Sequence, residues 1–312
     1  MSDMRAMVAT AWGGPEVLEE RTVPRPEPGE GEVLVRVRAA GVNPVDHKTR
    51  ASGGLLGRRG VAPPVILGWD VAGTVEAVGP GVTAFAPGDE VFGMPRFPDV
   101  AGAYAEYVAA PADTLARMPA GIDHAEAAAL PLVALTVLQA FAKAALADGA
   151  SVLVHAAAGG VGHVAVQVAR ARGCRVAGTA SAANQELLRE LGVDTPVDYG
   201  AQAFEEVVRD VDVVLDPVGG EVRARSWGVL RPGGVLVSVV GPPKEGEAEA
   251  HGARGAAILV RPSGEGMAEV ARLVESGALR PVVSARLPLS EVAEAHRRLE
   301  TGHGRGKVVL EV

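Results

Sequence analysis

The chain has 312 residues, 48% hydrophobic and 22% charged, with 38 acidic against 30 basic side chains and a formal net charge of −8. That composition excludes a mainly disordered chain, and the acidic balance argues against a nucleic-acid partner, whose phosphates need a basic footprint. A single cysteine, Cys174, excludes an internal disulfide framework and a cysteine-rich zinc site.

The length suggests two domains. Residues 1–10 contain no apolar signal segment. The longest apolar run, 127–138, is broken by Pro131 and is too short to cross a bilayer. No membrane partner is therefore expected, and the lone cysteine suits a reducing, cytoplasmic setting.

Residues 33–39 alternate as a strand with one buried face, after a connector marked by Pro24, Pro26, Pro28 and Gly29. Short strand-like runs at 71–78 and 88–93 are separated by glycine turns, which predicts a small antiparallel, barrel-like unit. The pattern changes near 123. Asp123 is placed to cap a helical stretch over 125–147. Beyond Gly149, apolar strands are expected at 152–154, 175–178, 211–215, 235–240 and 256–260. Helices are expected at 163–172, 184–191 and 204–208. Such alternation predicts a parallel sheet covered on both faces. The tail reads as two amphipathic helices and a closing strand over 307–312, and the segment from Gly241 as a loop.

Residues 157–162, Ala157-Ala158-Gly159-Gly160-Val161-Gly162, follow an apolar strand and open a helix. That is the context a dinucleotide fingerprint requires. Gly159 lets the backbone approach a pyrophosphate, Gly162 lets the helix lie close to the sheet, and the helix N-terminus offers N–H groups to phosphate. Ala157 replaces the first glycine, so the turn there must tolerate a Cβ. The alternative is a glycine-rich turn with no ligand. An NAD site places a carboxylate after the second strand. Here residues 178–184 contain none, and Thr179, Ser181 and Asn184 can donate hydrogen bonds to a 2′-phosphate. No Lys or Arg clamps that loop. NADP(H) is favoured, with dual use open. Tyr199, after the third strand, is placed to cover the adenosine end or to be a half-buried aromatic.

The run 155–162 resembles the zinc-free quinone oxidoreductase branch of the medium-chain dehydrogenase/reductases. So do Gly41-Val42-Asn43-Pro44-Val45-Asp46, residues 71–79, residues 102–107 and the tail 302–310. The resemblance implies an α/β fold: a GroES-like, mainly β catalytic domain (1–122 and 263–312) around a Rossmann doubly wound parallel sheet (123–262). It places the active site in the cleft between them.

The zinc alcohol dehydrogenases of the superfamily carry Cys where this chain has Asn43, and His-Glu where it has Trp69-Asp70. Asn and Trp cannot replace thiolate and imidazole as zinc ligands, so no metal is expected. Metal-free hydride transfer suits an acceptor activated by conjugation. The resemblance puts Asn43, Asp46 and Lys48 beside the nicotinamide. Asn43 would bond substrate or nicotinamide. Asp46 would orient a neighbour or cap a turn. Lys48 would donate a proton or be a surface lysine. It also puts Thr136, Val239, Val240, Gly241, His303 and Arg305 near the cofactor. Trp69, Phe92 and Met94 are candidates for an apolar acceptor pocket or for core.

The expected function is an NADPH-dependent reduction of a quinone or α,β-unsaturated carbonyl. A homodimer is expected through the edge strand at 256–260. One alternative is an enoyl-thioester reductase, with Arg50, Arg58 and Arg59 as a basic entrance. Another is a non-catalytic, NADPH-binding structural or regulatory protein.

Overall fold

The structure, a computed structural model, describes residues 2–302 and 304–312; His303 lies outside the described residues. The first unit is Met1–Leu135 with Arg261–Gly277 and Pro281–Val312, and the second is Thr136–Val260 with Ala278–Arg280.

The first unit begins with β1 (Asp3–Ala9), β2 (Leu18–Pro24), β3 (Glu32–Val42), β4 (Val65–Ile66), β5 (Asp70–Val78), β6 (Glu90–Gly93), β7 (Tyr107–Pro111) and β8 (Leu115–Arg117). β1 pairs antiparallel with β2 and β4. β3 pairs antiparallel with both β5 and β7. Its alternation is in part that expected of a half-buried strand: Val33, Val35 and Val37 are buried and Arg36 and Arg38 exposed, while Leu34 on the other face is buried too.

The helical stretch after residue 123 is two helices. The Asp123 carboxylate accepts from Glu126 N at 2.9 Å, and the Glu126 carboxylate accepts from Asp123 N at 3.0 Å. This reciprocal cap starts the helix His124–Ala128. Pro131, which cannot continue a helix but suits the start of one, opens the next, Pro131–Ala144. The short helix packs on β3 and β5. The first unit therefore extends to Leu135 rather than ending at residue 122.

The second unit holds β9 (Ser151–Val154), β10 (Arg175–Ala180), β11 (Thr195–Asp198), β12 (Val211–Asp216), β13 (Leu230–Ser238) and β14 (Arg254–Ala257). Every pairing is parallel, in the order β11-β10-β9-β12-β13-β14. This is the doubly wound order with its reversal between β9 and β12. Val152, Leu153 and Val154 of the central strand have no exposed surface, as in a sheet covered on both faces. β11 contains Pro196 and sits at an edge, where a missing N–H is tolerated. The other edge strand ends at Ala257, not Val260. Its partner β13 stops at Ser238, and the last bond of the ladder is Ile258 N to Ser238 O at 3.2 Å. Leu259, just beyond, is 55% exposed.

The chain then returns to the first unit. The helices Gly264–Glu275 and Val292–Glu300 carry it to β15 (Val283–Pro288) and β16 (Lys307–Glu311). β16 pairs antiparallel with β3 and completes a seven-stranded sheet. Among the described residues, no helix is long and apolar enough to cross a membrane.

Candidate active site

In the second unit the sequence fingerprint lies where β9 leaves the C-terminal edge of the sheet, beside the reversal of strand order. Ala156 is left-handed (φ 46°), and its carbonyl accepts from Gly159 N at 2.8 Å. Gly159 is extended and caps the helix Gly160–Ala171. The N–H groups of Gly160, Val161 and Gly162 thus open a helix and have no partner within it. A Cβ on Gly162 would run into the Ala156 carbonyl oxygen and stand 2.6 Å from Ala157 Cα. The helix therefore lies against the turn as closely as the backbone permits. Ala157 is tolerated because it faces Gly178 of β10, where a Cβ would come within 2.9 Å of the Ala157 methyl.

The end of β10 differs from the sequence expectation at one residue. Thr179 is buried, and its hydroxyl oxygen accepts from Ala156 N and contacts His155 Nδ1, both at 3.2 Å. It is engaged inside the unit and is not available to a 2′-phosphate. Ser181 and Asn184 remain partly exposed, with Asn184 Nδ2 donating to Ser181 Oγ at 3.2 Å. Tyr199 follows the neighbouring strand β11 and is 57% exposed. Its N–H bonds to Ala180 O at 3.2 Å, so it stands beside Ser181.

Across the reversal, Asp216 ends β12 fully buried, and its Oδ1 accepts from Val218 N (3.0 Å) and Gly219 N (2.6 Å). Val239 N donates to Asp216 O at 3.0 Å, and Val240 is exposed at the same edge. Gly241 (φ 128°) follows, its carbonyl held by Arg223 at 3.1 Å. Thr136 is buried in its helix, and Arg305 is exposed before β16.

In the first unit, Asn43, expected to face a ligand, is fully buried between β3 and the helix Pro44–Ser52. Its Nδ2 donates to Asp70 Oδ2 at 2.8 Å, and its Oδ1 accepts from Lys307 Nζ. Lys307 Nζ also donates to Val42 O at 2.8 Å and lies 3.8 Å from Asp70 Oδ2. The other oxygen of Asp70 accepts from Leu132 N at 2.9 Å, capping the helix from Pro131. Asp46 is buried too, its Oδ2 accepting from Asn43 N at 2.6 Å. Of the three catalytic candidates, Lys48 alone is exposed.

Trp69, Phe92 and Met94 are core: none has more than 1% exposure, and Trp69 Nε1 donates to Asp99 O at 2.8 Å. They therefore offer no wall to a substrate. Of the three arginines expected at a basic entrance, Arg50 is buried in an ion pair with Glu300, whereas Arg58 is exposed and Arg59, whose Nε donates to Asp99 at 2.6 Å, is exposed too.

Asp70 and Lys307 were not singled out from the sequence as site residues. The available signal was a carboxylate opening the apolar run of β5 and a lysine opening that of β16. Burial pushes Asp70 up to about 6 and Asp46 up to about 7, and it pushes Lys307 down. A carboxyl raised on folding adds stability at low pH, and that contribution is lost between its unfolded value and its folded one. Asp46→Asn keeps the shape of the protonated acid. It is expected to gain stability relative to wild type, by on the order of 2 kcal/mol, as pH rises from 4 to 7.5. The measurement is the urea midpoint of both proteins at the two pH values. A constant difference would mean that the buried acid does not titrate there.

A zinc ion does not fit the positions at which zinc alcohol dehydrogenases bind one. Both polar atoms of Asn43 are engaged by Asp70 and Lys307, and the Trp69 N–H is bonded. Among the described residues, no three His, Cys, Asp or Glu side chains form a group suited to a metal ion. A dinucleotide fits the second unit, where Gly162 leaves no room for a Cβ and the helix N-terminus faces the turn.

Residues 29–120 match the family described as alcohol dehydrogenase GroES-like domain, and residues 191–310 match that described as zinc-binding dehydrogenase. The chain is 36% identical to the chloroplastic NADPH-dependent alkenal/one oxidoreductase of Arabidopsis thaliana, over 99% of this chain and 79% of that protein. It is 35% identical to the quinone oxidoreductase of Lama guanicoe, over 98% and 97%. The quinone oxidoreductase of Coxiella burnetii superposes with a TM-score of 0.93 at 37% identity, covering both chains completely. Strand order, phosphate turn and full-length similarity agree, and the chain belongs to the quinone oxidoreductase branch of the medium-chain dehydrogenase/reductase superfamily.

Proposed function

We propose that the protein is an NADPH-dependent reductase of quinones or α,β-unsaturated carbonyls that works without a metal. The observation that carries this reading is the end of β10. No carboxylate stands between Gly178 and Asn184, and the partly exposed Ser181–Asn184 pair leaves room for a 2′-phosphate. The quinone and alkenal/one reductases among the relatives support the acceptor class.

The bound nicotinamide would supply a hydride. The chain's own residues do the rest. The N–H groups of Gly160, Val161 and Gly162 meet the pyrophosphate charge. Ser181 and Asn184 bond the 2′-phosphate, and Tyr199 covers the adenosine end. Val239, Val240 and Gly241 flank the nicotinamide. Thr136 and Arg305 stay as further cofactor contacts. Lys48 is the donor on the acceptor side, because Asn43 and Asp46 are used in holding their own segment. The burial of Arg50 against Glu300 takes one of three arginines from the thioester reading and leaves Arg58 and Arg59 at the surface.

The test is NADPH and NADH oxidation with 1,4-benzoquinone, 9,10-phenanthrenequinone and crotonyl-CoA in parallel. Expected is turnover of the quinones, with kcat/KM for NADPH about tenfold above that for NADH, roughly 1.4 kcal/mol. Preference for crotonyl-CoA would establish the thioester reductase instead. Tight NADPH binding without any turnover would mark a binding protein.

A further inference from the structure

His155, Thr179 and Ser226 sit on three separate elements of the second unit: the end of β9, β10, and the end of the helix Gly220–Ser226. Their side chains form one hydrogen-bond chain behind the phosphate turn. Ser226 Oγ donates to Val222 O at 2.6 Å, which uses its only proton. It must then accept from His155 Nε2, 2.8 Å away. The imidazole is almost completely buried, with the Phe204 ring edge-on at 4.7 Å. Burial is the main influence on it and pushes it down to about 4. Asp216 and Glu205 oppose that shift and Arg225 adds to it. The ring is therefore neutral at working pH, with its proton on Nε2 and an acceptor at Nδ1. The Thr179 hydroxyl, 3.2 Å from Nδ1, donates to it, and the hydroxyl oxygen accepts from Ala156 N at 3.2 Å. Every proton points the same way, from Ala156 to Val222.

The place where this chain begins gives it a role. Ala156 occupies the left-handed region, which costs a residue with a Cβ. Its carbonyl closes the turn on Gly159, and the next N–H, of Ala157, bonds to Thr179 O at 2.8 Å. Thr179 thus holds the first two N–H groups of the turn, one by its side chain and one by its backbone.

We propose that His155 is a positioning residue for the dinucleotide: acting through Thr179, it holds Ala156 in its left-handed conformation and so pre-sets the phosphate turn without touching the cofactor. The inference rests on the reading of residues 156–162 as a dinucleotide site. Pre-organisation of this kind shows in affinity, not in the rate of the loaded enzyme.

The test uses Thr179→Val and His155→Leu, which cut the chain. Thr179→Ser keeps it, and His155→Asn restores an acceptor at the Nδ1 position only. NADPH dissociation constants are measured by fluorescence titration, with KM for NADPH and kcat at saturating NADPH. Circular dichroism establishes which variants fold. Expected for the two cutting variants is a rise of about tenfold or more in both dissociation constant and KM, with kcat within about twofold of wild type. Thr179→Ser should match wild type, and His155→Asn should fall between. A folded Thr179→Val that binds NADPH as wild type does, or that loses kcat and keeps KM, overturns the inference. If both cutting variants fail to fold, the comparison of His155→Gln with wild type decides, because its amide reaches towards Ser226 and leaves Thr179 without the Nδ1 acceptor: equal affinities overturn the inference, and a weaker His155→Gln supports it. Wild-type protein that binds neither NADPH nor NADH overturns the dinucleotide reading itself, a result distinct from equal affinities of wild type and variant.

Discussion

Gly162→Ala is expected to lower NADPH affinity at least 100-fold, about 3 kcal/mol, and to lower the melting temperature of the apo-protein. The added methyl group would meet two backbone groups, the Ala156 carbonyl and Ala157 Cα. Neither can swing aside as a side chain would. The helix Gly160–Ala171 must therefore move off the turn, and its N–H groups then no longer converge on one point. Gly228 is the control, because nothing lies within 4 Å of its Cβ position and no left-handed φ is required there. Gly228→Ala should bind NADPH as wild type does. Titration of both variants checks this, and a Gly162→Ala protein with unchanged affinity would show that the close approach is unnecessary for binding.

Lys307→Met is expected to destabilise the first unit by about 3–5 kcal/mol, because it leaves a buried charge without its counter-charge. The ammonium has three acceptors or partners, Val42 O, Asn43 Oδ1 and Asp70, all of them buried. Methionine fills the space and removes every donor. Adding Asp70→Asn should return part of the loss, since the amide needs no counter-charge and still accepts from Leu132 N. A coupling of about 1–3 kcal/mol between the two substitutions is expected in denaturant melts. Additive effects would mean that the 3.8 Å separation carries no interaction of consequence.

Local patterns were legible wherever one segment sets its own structure. The partial alternation at 33–39 predicts β3 because period two sets the buried valines against the exposed Arg36 and Arg38, although Leu34 is buried out of that period. The strand–glycine turn–helix at 151–171 is readable for the same reason, and so is the missing carboxylate after Gly178. Long-range pairing was not readable. Asn43 has the chemistry of a ligand contact, and its commitment to Asp70 and Lys307 depends on strands from opposite ends of the chain. Thr179 lies at the offset of a phosphate contact, yet His155 and Ser226 turn its hydroxyl inward. Trp69, Phe92 and Met94 are apolar, which suits core and pocket equally. Only their lack of exposed surface separates the two.

The seven-stranded sheet joins both ends of the polypeptide, and this orders events during translation. Residues 136–260 supply all six strands of the parallel sheet, so that sheet can assemble while the ribosome is still adding the tail. The other unit waits for β16. Until residue 307 has emerged, β3 has an open flank, and Asn43 Oδ1, Val42 O and Asp70 are without the ammonium that joins them in the finished unit.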